Sequence, residues 1–203
     1  MLPSNCLVLG THNRKKLREL VELLAPGRIE IRTLDDFPSP AVVEETGQTF
    51  ADNARLKAIG QANHLGQWVL AEDSGLVVDS LGGSPGVLSA RFSGANATDE
   101  SNNALLLEKL AGMPQDRRAA RYVCHFSLAA PTGELMAEST AECRGRIRGQ
   151  AAGQAGFGYD PLFEIVEYHR TFAELGDAVK RMISHRGRAL RAMIPRLISL
   201  IGC

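Results

Sequence analysis

The chain has 203 residues, 44% hydrophobic and 23% charged, and its 23 basic side chains balance 23 acidic ones. That size and composition fit one soluble globular domain, or two lobes sharing a core. The even balance argues against a protein that coats nucleic acid, which would carry a net basic surface, and no apolar run approaches the roughly 20 residues needed to span a bilayer.

Met1 to Cys6 lacks a basic stretch followed by an apolar one, so it does not read as a secretory signal. Cys6-Leu7-Val8-Leu9, closed by Gly10, predicts a buried strand. A helix follows with Leu17, Leu20, Val21 and Leu24 on its apolar side, stopped by Ala25-Pro26-Gly27. Ile29 and Ile31 alternate with Arg28, Glu30 and Arg32, a half-buried strand pattern. Thr49 with Asp52 three residues on predicts the start of a second helix, with Phe50, Ala54, Ala58 and Ala62 on one face. Trp68-Val69-Leu70-Ala71 predicts a strand that ends in Glu72-Asp73-Ser74-Gly75, with Gly75 allowing a sharp turn before Leu76. Asp79 to Gly94 reads as loop.

Thr98 with Asp99 and Glu100 predicts another helix start, with Leu105, Leu106 and Leu110 inward. Arg121 to Ala130 and Glu134 to Cys143 predict a hairpin around Pro131-Thr132-Gly133. The last helix is expected from about Ser184, with Leu190, Met193, Ile194, Leu197 and Ile201 inward and a kink at Pro195. Strands and helices interleave, so the class is α/β with a mixed sheet. Cys6, Cys124, Cys143 and Cys203 are widely spaced without a C-x-x-C pair, and are expected to be buried, reduced thiols of a cytoplasmic protein.

Five segments carry chemistry beyond packing. Gly10 to Lys16 lies between a strand and a helix start, where outward backbone N–H groups attract anions and a lysine one turn on reaches back to phosphate. It lacks the glycines and the G-K-[ST] ending of a Walker loop. Glu44-Glu45-Thr46-Gly47 and Glu72-Asp73-Ser74-Gly75 each pair two carboxylates, hard oxygen donors of the kind Mg²⁺ takes together with waters and phosphates. In α/β sheets, sites gather at strand carboxyl ends, which is where the second pair is expected. Gly156-Phe157-Gly158-Tyr159-Asp160-Pro161 combines exposed backbone with an aromatic face, suited to a flat base. Lys180 and Ser184-His185-Arg186-Gly187 supply donors for carbonyl or phosphate oxygens. His64, His125 and His169 show no metal-ligand spacing. Taken alone, these residues describe a magnesium-assisted nucleotide hydrolase.

The same segments, together with Leu81-Gly82-Gly83-Ser84-Pro85-Gly86-Val87 and Ser89-Ala90-Arg91-Phe92-Ser93-Gly94, resemble the inosine/xanthosine triphosphate pyrophosphatases, in the family's order and across almost the whole chain. The resemblance implies residues 1–203 as one domain of two lobes. An elongated mixed β-sheet flanked by helices is implied, with the active-site cleft between the lobes, and usually a homodimer. It implies hydrolysis of ITP, dITP and XTP to the monophosphate and pyrophosphate, with Mg²⁺ as cofactor and neither a stable nucleic-acid partner nor a membrane. Asp73 then matches the general base, Glu44 a magnesium ligand and Asp73 a second, with Glu45 and Glu72 as neighbours whose share of the metal stays open. Thr11, His12, Asn13, Arg14, Lys15 and Lys16 match the triphosphate loop. Ser74, Phe157, Gly158, Tyr159, Asp160, Lys180, His185 and Arg186 match nucleotide contacts.

In the family this loop more often has Gly at the position of His12 and often Gly at that of Lys15, and the position of Glu72 is often Asp. His185 and Arg186 are expected to read the 6-keto oxygen of a deaminated purine. Other readings are a related house-cleaning pyrophosphatase for other modified nucleotides, and a non-catalytic nucleotide- or RNA-binding module. The strand-end acids argue against the latter, because a binder of anions gains little from them.

Overall fold

The structure, a computed structural model, describes residues 6–25 and 29–202. The expected helix stop at Pro26-Gly27, the alternation at Arg28, the reading of the segment before Cys6, and Cys203 lie outside the described residues. The elements are strands β1 (Cys6–Leu9), β2 (Glu30–Thr33), β3 (Trp68–Val78), β4 (Ala119–Ala129), β5 (Leu135–Ile147), β6 (Phe163–Ile165) and β7 (Arg170–Thr171). The helices are α1 (Arg14–Leu24), α2 (Phe50–Leu65), α3 (Asp99–Lys109), α4 (Phe172–Ile183) and α5 (His185–Ile201). The strands form a seven-stranded sheet in the order β2-β1-β3-β4-β5-β6-β7. β1 is parallel to β2 and β3, whereas β6 is antiparallel to β5 and β7, so the sheet is mixed.

The chain divides into two compact units. The first takes residues up to Asp73, Cys124–Ala141 and the segment from Arg186 onward; the second takes Ser74–Val123 and Glu142–His185. In the first unit, strand alternation sorts the core into two layers. Leu7, Leu9, Leu70, Cys124, Phe126 and Leu128 pack with Leu20 and Leu24 of α1 and with Leu190, Met193, Leu197 and Ile201 of α5. Val8, Val69, Ala71 and Ala129 point the other way, onto Ala58 and Ala62 of α2. The small residues of α2 let the helix lie close to the strands. Its start matches expectation: Thr49 accepts from the Asp52 amide, and Asp52 returns the bond to the Thr49 amide. Arg55 of α2 grips Glu138 of β5 with two hydrogen bonds, 2.7 and 3.0 Å, and His125 of β4 adds a third contact to the same carboxylate at 2.8 Å.

The second unit has its own core of Leu76, Val78, Leu106, Leu110, Tyr122, Ile147, Phe163 and Phe172, among others. Here β5 passes β6 so closely that a side chain at Gly145 would overlap the Glu164 carbonyl oxygen and stand 2.8 Å from the Phe163 ring.

Several expectations change. Glu72-Asp73-Ser74-Gly75 lies within β3 and not at its end, and Gly75 makes no turn. The run reads as a strand terminus because its polar residues interrupt the apolar pattern, yet extended backbone continues through them. The strand-end idea survives only relative to β1, whose pairing with β3 stops at Leu9 opposite Leu70. Val21 is 39% exposed and not part of the buried stripe of α1. The expected loop from Asp79 to Gly94 contains two 3₁₀ segments, Asp79–Leu81 and Gly86–Arg91. α4, β6 and β7 were not foreseen. α5 continues through Pro195 to Ile201.

Two outcomes are expected. Gly145→Ala should destabilise the protein by about 1–3 kcal/mol through overpacking, read as a lower thermal midpoint. The Arg55 hydrogen bond is the main force holding the Glu138 carboxyl down at about 2, against 4.5 ordinarily. A lowered folded-state pKa means Glu138 adds stability above pH 4.5, lost as pH falls toward 2. Urea titrations of Glu138→Gln should therefore show a shallower loss of stability than wild type across that window.

Candidate functional site

β3 places Glu72 and Asp73 side by side in sequence and on opposite faces of the sheet. Glu72 continues the row of Leu70 and points toward α1 and α5; Asp73 continues the row of Val69 and Ala71 and points toward α2. Glu72 is 1% exposed. Arg186 of α5 donates to it through Nε at 3.1 and 3.2 Å, the Cys124 thiol donates at 3.0 Å, and the Lys16 ammonium lies 3.4 Å away. Arg186 also donates through Nη1 to Glu19 of α1. Burial alone would push the Glu72 carboxyl up; Arg186 and then Lys16 override it and hold the group well below the usual carboxylate range. The buried guanidinium is in turn held charged by Glu72 and Glu19. Cys124 moves the other way, raised by burial and by the carboxylate it touches.

Lys16 reaches this point because of how α1 begins. Asn13 caps the helix, its side-chain oxygen accepting from the amides of Lys15 and Lys16 at 3.0 and 3.2 Å, and Thr11 Oγ1 accepts from the Asn13 amide at 3.1 Å. Two of the amides expected to face an anion are therefore taken by Asn13. His12, Arg14 and Lys15 are exposed, with His12 Nδ1 3.9 Å from Asp35.

On the opposite face, Asp73 is 6% exposed. Lys57 of α2 donates to its Oδ1 at 3.2 Å and lies 3.5 Å from Glu45. Asn53 of α2 donates to Oδ2 at 3.3 Å. Burial pushes the Asp73 carboxyl up, Lys57 and Lys16 pull it back, and the net shift is upward. A carboxylate that binds a proton more readily than a surface aspartate is suited to accept one.

Of the expected metal ligands Glu44 and Asp73, and of Glu45 and Glu72 whose share was open, no three are grouped in the structure. Among the described residues, no three His, Cys, Asp or Glu side chains are grouped to hold a metal ion. Glu72 is turned to the α1 and α5 face and neutralised there. Glu44 lines a hollow of about 650 Å³ with Val42, Arg55, Leu56 and Ile59. Glu45 is the acid that shares a cation with Asp73. In β3 the alternation of extended backbone turns Glu72 and Asp73 to opposite sides.

In the second unit, Asp160 is the organising group. Its carboxylate is 1% exposed and accepts from the Phe157 amide at 2.8 Å, the Tyr122 hydroxyl at 3.4 Å and the Lys180 ammonium at 2.6 Å. Gly156, at φ 77°, lies against that carboxylate, where any side chain would collide with it. Lys180 also sits 4.2 Å from the centre of the Phe157 ring. The His185 ring stacks on Tyr122, 4.7 Å apart and within 7° of parallel. Gly158 accepts from Asn103 at 2.9 Å, and the Tyr159 hydroxyl donates to the Ser89 carbonyl inside the core. Ser74 is half-buried.

A sequence profile of the Ham1 family matches residues 7–196. The chain belongs to the Ham1 family. Proteins named dITP/XTP pyrophosphatase from Rhodopirellula baltica and Desulforamulus reducens are 52% and 50% identical to it, over 96% and 91% of this chain and 94% and 92% of theirs. A HAM1 protein from Coxiella burnetii has a similar structure, with TM-score 0.87, 37% identity, and coverage of 96% of this chain and 98% of that one. So has a nucleoside-triphosphatase, dITP/XTP pyrophosphatase, from Mycobacterium abscessus, with TM-score 0.77, 44% identity, and coverage of 94% and 99%.

In this Ham1 chain, His185 and Arg186 are neighbours that part company: His185 stacks in the second unit, and the Arg186 Nε and Nη1 groups are engaged by carboxylates of the first. Glu19, Asn53, Lys57, Tyr122 and Cys124 were missed by sequence reasoning. Only Lys57 carried a signal, as a lysine one turn from Asn53 on a helix whose apolar face is alanine. Glu72→Gln should take one carboxylate from the buried Arg186, at a cost of about 3–5 kcal/mol; the urea midpoint reads it.

Proposed function

We propose that the chain hydrolyses the triphosphates of deaminated purines, ITP, dITP and XTP, to the nucleoside monophosphate and pyrophosphate. The observation that carries the reading is Asp73: a buried carboxylate with a raised pKa, faced by Lys57 and influenced by Lys16. The names of relatives at 52% and 50% identity support the same substrate class.

The residues fit a divalent cation. Asp73 and Glu45 are hard oxygen donors that already share the Lys57 ammonium, so this point is built for positive charge. Mg²⁺, when bound, neutralises phosphate charge and favours departure of pyrophosphate. The chain's own groups do the rest. Lys16, oriented by Glu72, offsets charge spread on the phosphate oxygens. Asp73 orients the attacking water and accepts its proton as the water oxygen bonds to the α-phosphorus. The bond to the leaving phosphate oxygen breaks, and that oxygen departs on pyrophosphate.

For the base, Phe157 offers a ring face, and Lys180 and His185 are the donors beside Phe157 and Tyr122. In this reading Lys180 joins His185 on the side of the base. A 6-keto oxygen accepts from such donors, whereas the amino group of adenine meets them donor to donor, a mismatch of about 1–3 kcal/mol. Pyrophosphate release from dITP, XTP and ATP should show kcat/KM for the first two about 10- to 100-fold above ATP. Equal values would remove the selectivity. Asp73→Asn should lower kcat by about 100-fold or more, and an unchanged kcat would remove the role given to Asp73.

A further inference from the structure

Asn53 and Lys57 lie one turn apart on α2, and both join the same two segments. Lys57 spans Asp73 Oδ1, at 3.2 Å, and Glu45 Oε1, at 3.5 Å. Asn53 donates to Asp73 Oδ2 at 3.3 Å, and its own carbonyl oxygen accepts from the Gly47 amide at 2.8 Å. The side chain is fully buried. Asparagine is a weak helix former, and a buried amide is costly unless its donor and acceptor are both used. Both of these partners lie outside the helix, so what Asn53 joins explains its place there. Gly47 shows how close the approach is: a side chain there would stand 2.7 Å from Asn53 Oδ1 and 2.9 Å from its backbone nitrogen.

We propose that Asn53 is a positioning residue for hydrolysis, setting the spacing between the Glu44–Gly47 segment and Asp73. The inference rests on the role proposed above for Asp73. The two ties differ in kind. The Lys57 tie is ionic, and it loosens when the carboxylates turn to another cation or the lysine turns to phosphate. The Asn53 tie is neutral and uses the other Asp73 oxygen and a backbone N–H, so it persists through that exchange. Side chains one layer behind a reacting group commonly change activity by about 10- to 100-fold when removed.

The test combines amide hydrogen exchange at Gly47, measured without nucleotide, with kcat and KM for dITP in Asn53→Ala, Asn53→Asp and Gly47→Ala. Asn53→Ala should speed Gly47 exchange by about tenfold or more and lower kcat by about 10- to 100-fold, with KM changed less than about threefold. Asn53→Asp keeps the acceptor for Gly47 and loses the donor to Asp73, so exchange should stay slow while kcat falls. Gly47→Ala breaks the tie from the other end. Combined with Asn53→Ala, it should cost less than the sum of the two single changes, because both disturb the hydrogen bond between Gly47 and Asn53. If Asn53→Ala does not fold, the other two variants carry the test. Unchanged Gly47 exchange, additive losses, or a kcat loss that vanishes at low temperature along with a lowered thermal midpoint would each overturn the proposal. Wild-type protein inactive on every triphosphate would instead sink the hydrolase reading, even with Gly47 exchange responding to Asn53.

Discussion

The pleat of β3 at Glu72 and Asp73 decides most of what surrounds them. Two adjacent carboxylates in extended backbone must face opposite ways. One meets α1 and α5, the other α2. Shifting the strand by one residue would exchange them, sending Asp73 to Arg186 and Glu72 to Lys57. The register is secured by the apolar residues before them, with Leu70 packed on one layer and Val69 and Ala71 on the other. Hydrophobic packing thus assigns each acid its electrostatic environment.

Those environments are opposite in effect. Glu72 is buried and held strongly ionised by Arg186 and Lys16. A permanent negative charge there does no proton transfer; it steadies a lysine near the start of α1. Glu19 and the Cys124 thiol complete the set, so the buried Arg186 meets two carboxylates and Glu72 three donors. A buried ion pair that lacked such partners would be a liability. Asp73 is shifted upward, because burial outweighs the two lysines. It has the weaker grip on its charge and the better capacity to accept a proton. The Glu72 carboxylate reaches the guanidinium directly.

The second unit uses one carboxylate in a different way. Asp160 gathers a backbone amide, a hydroxyl and an ammonium, and so fixes the shape of the Phe157 turn and the position of Lys180 together. Gly156 is required beside it because a side chain would displace the carboxylate. The sequence showed the turn, with its glycines, aromatic ring and acid. It did not show that Tyr122, more than 30 residues earlier in the chain, joins the Asp160 and His185 groups through its hydroxyl and its ring.

By itself the sequence determined the α/β class, the start of α2 at Thr49, the apolar faces of most helices, and the segments that place the chain among its relatives. These are local patterns, legible because capping and periodicity act over a few residues. The tertiary structure decided which acid has which partner. Arg186 meets Glu72 across 114 positions and Glu19 across 167, distances that no periodicity spans. The same reason limits what local pattern can assign. Glu44, Glu45, Glu72 and Asp73 look alike as letters, and His185 and Arg186 look like one donor group. The side each residue faces is set by the pleat and by the helix layered over it, and that choice exists only once the sheet has formed.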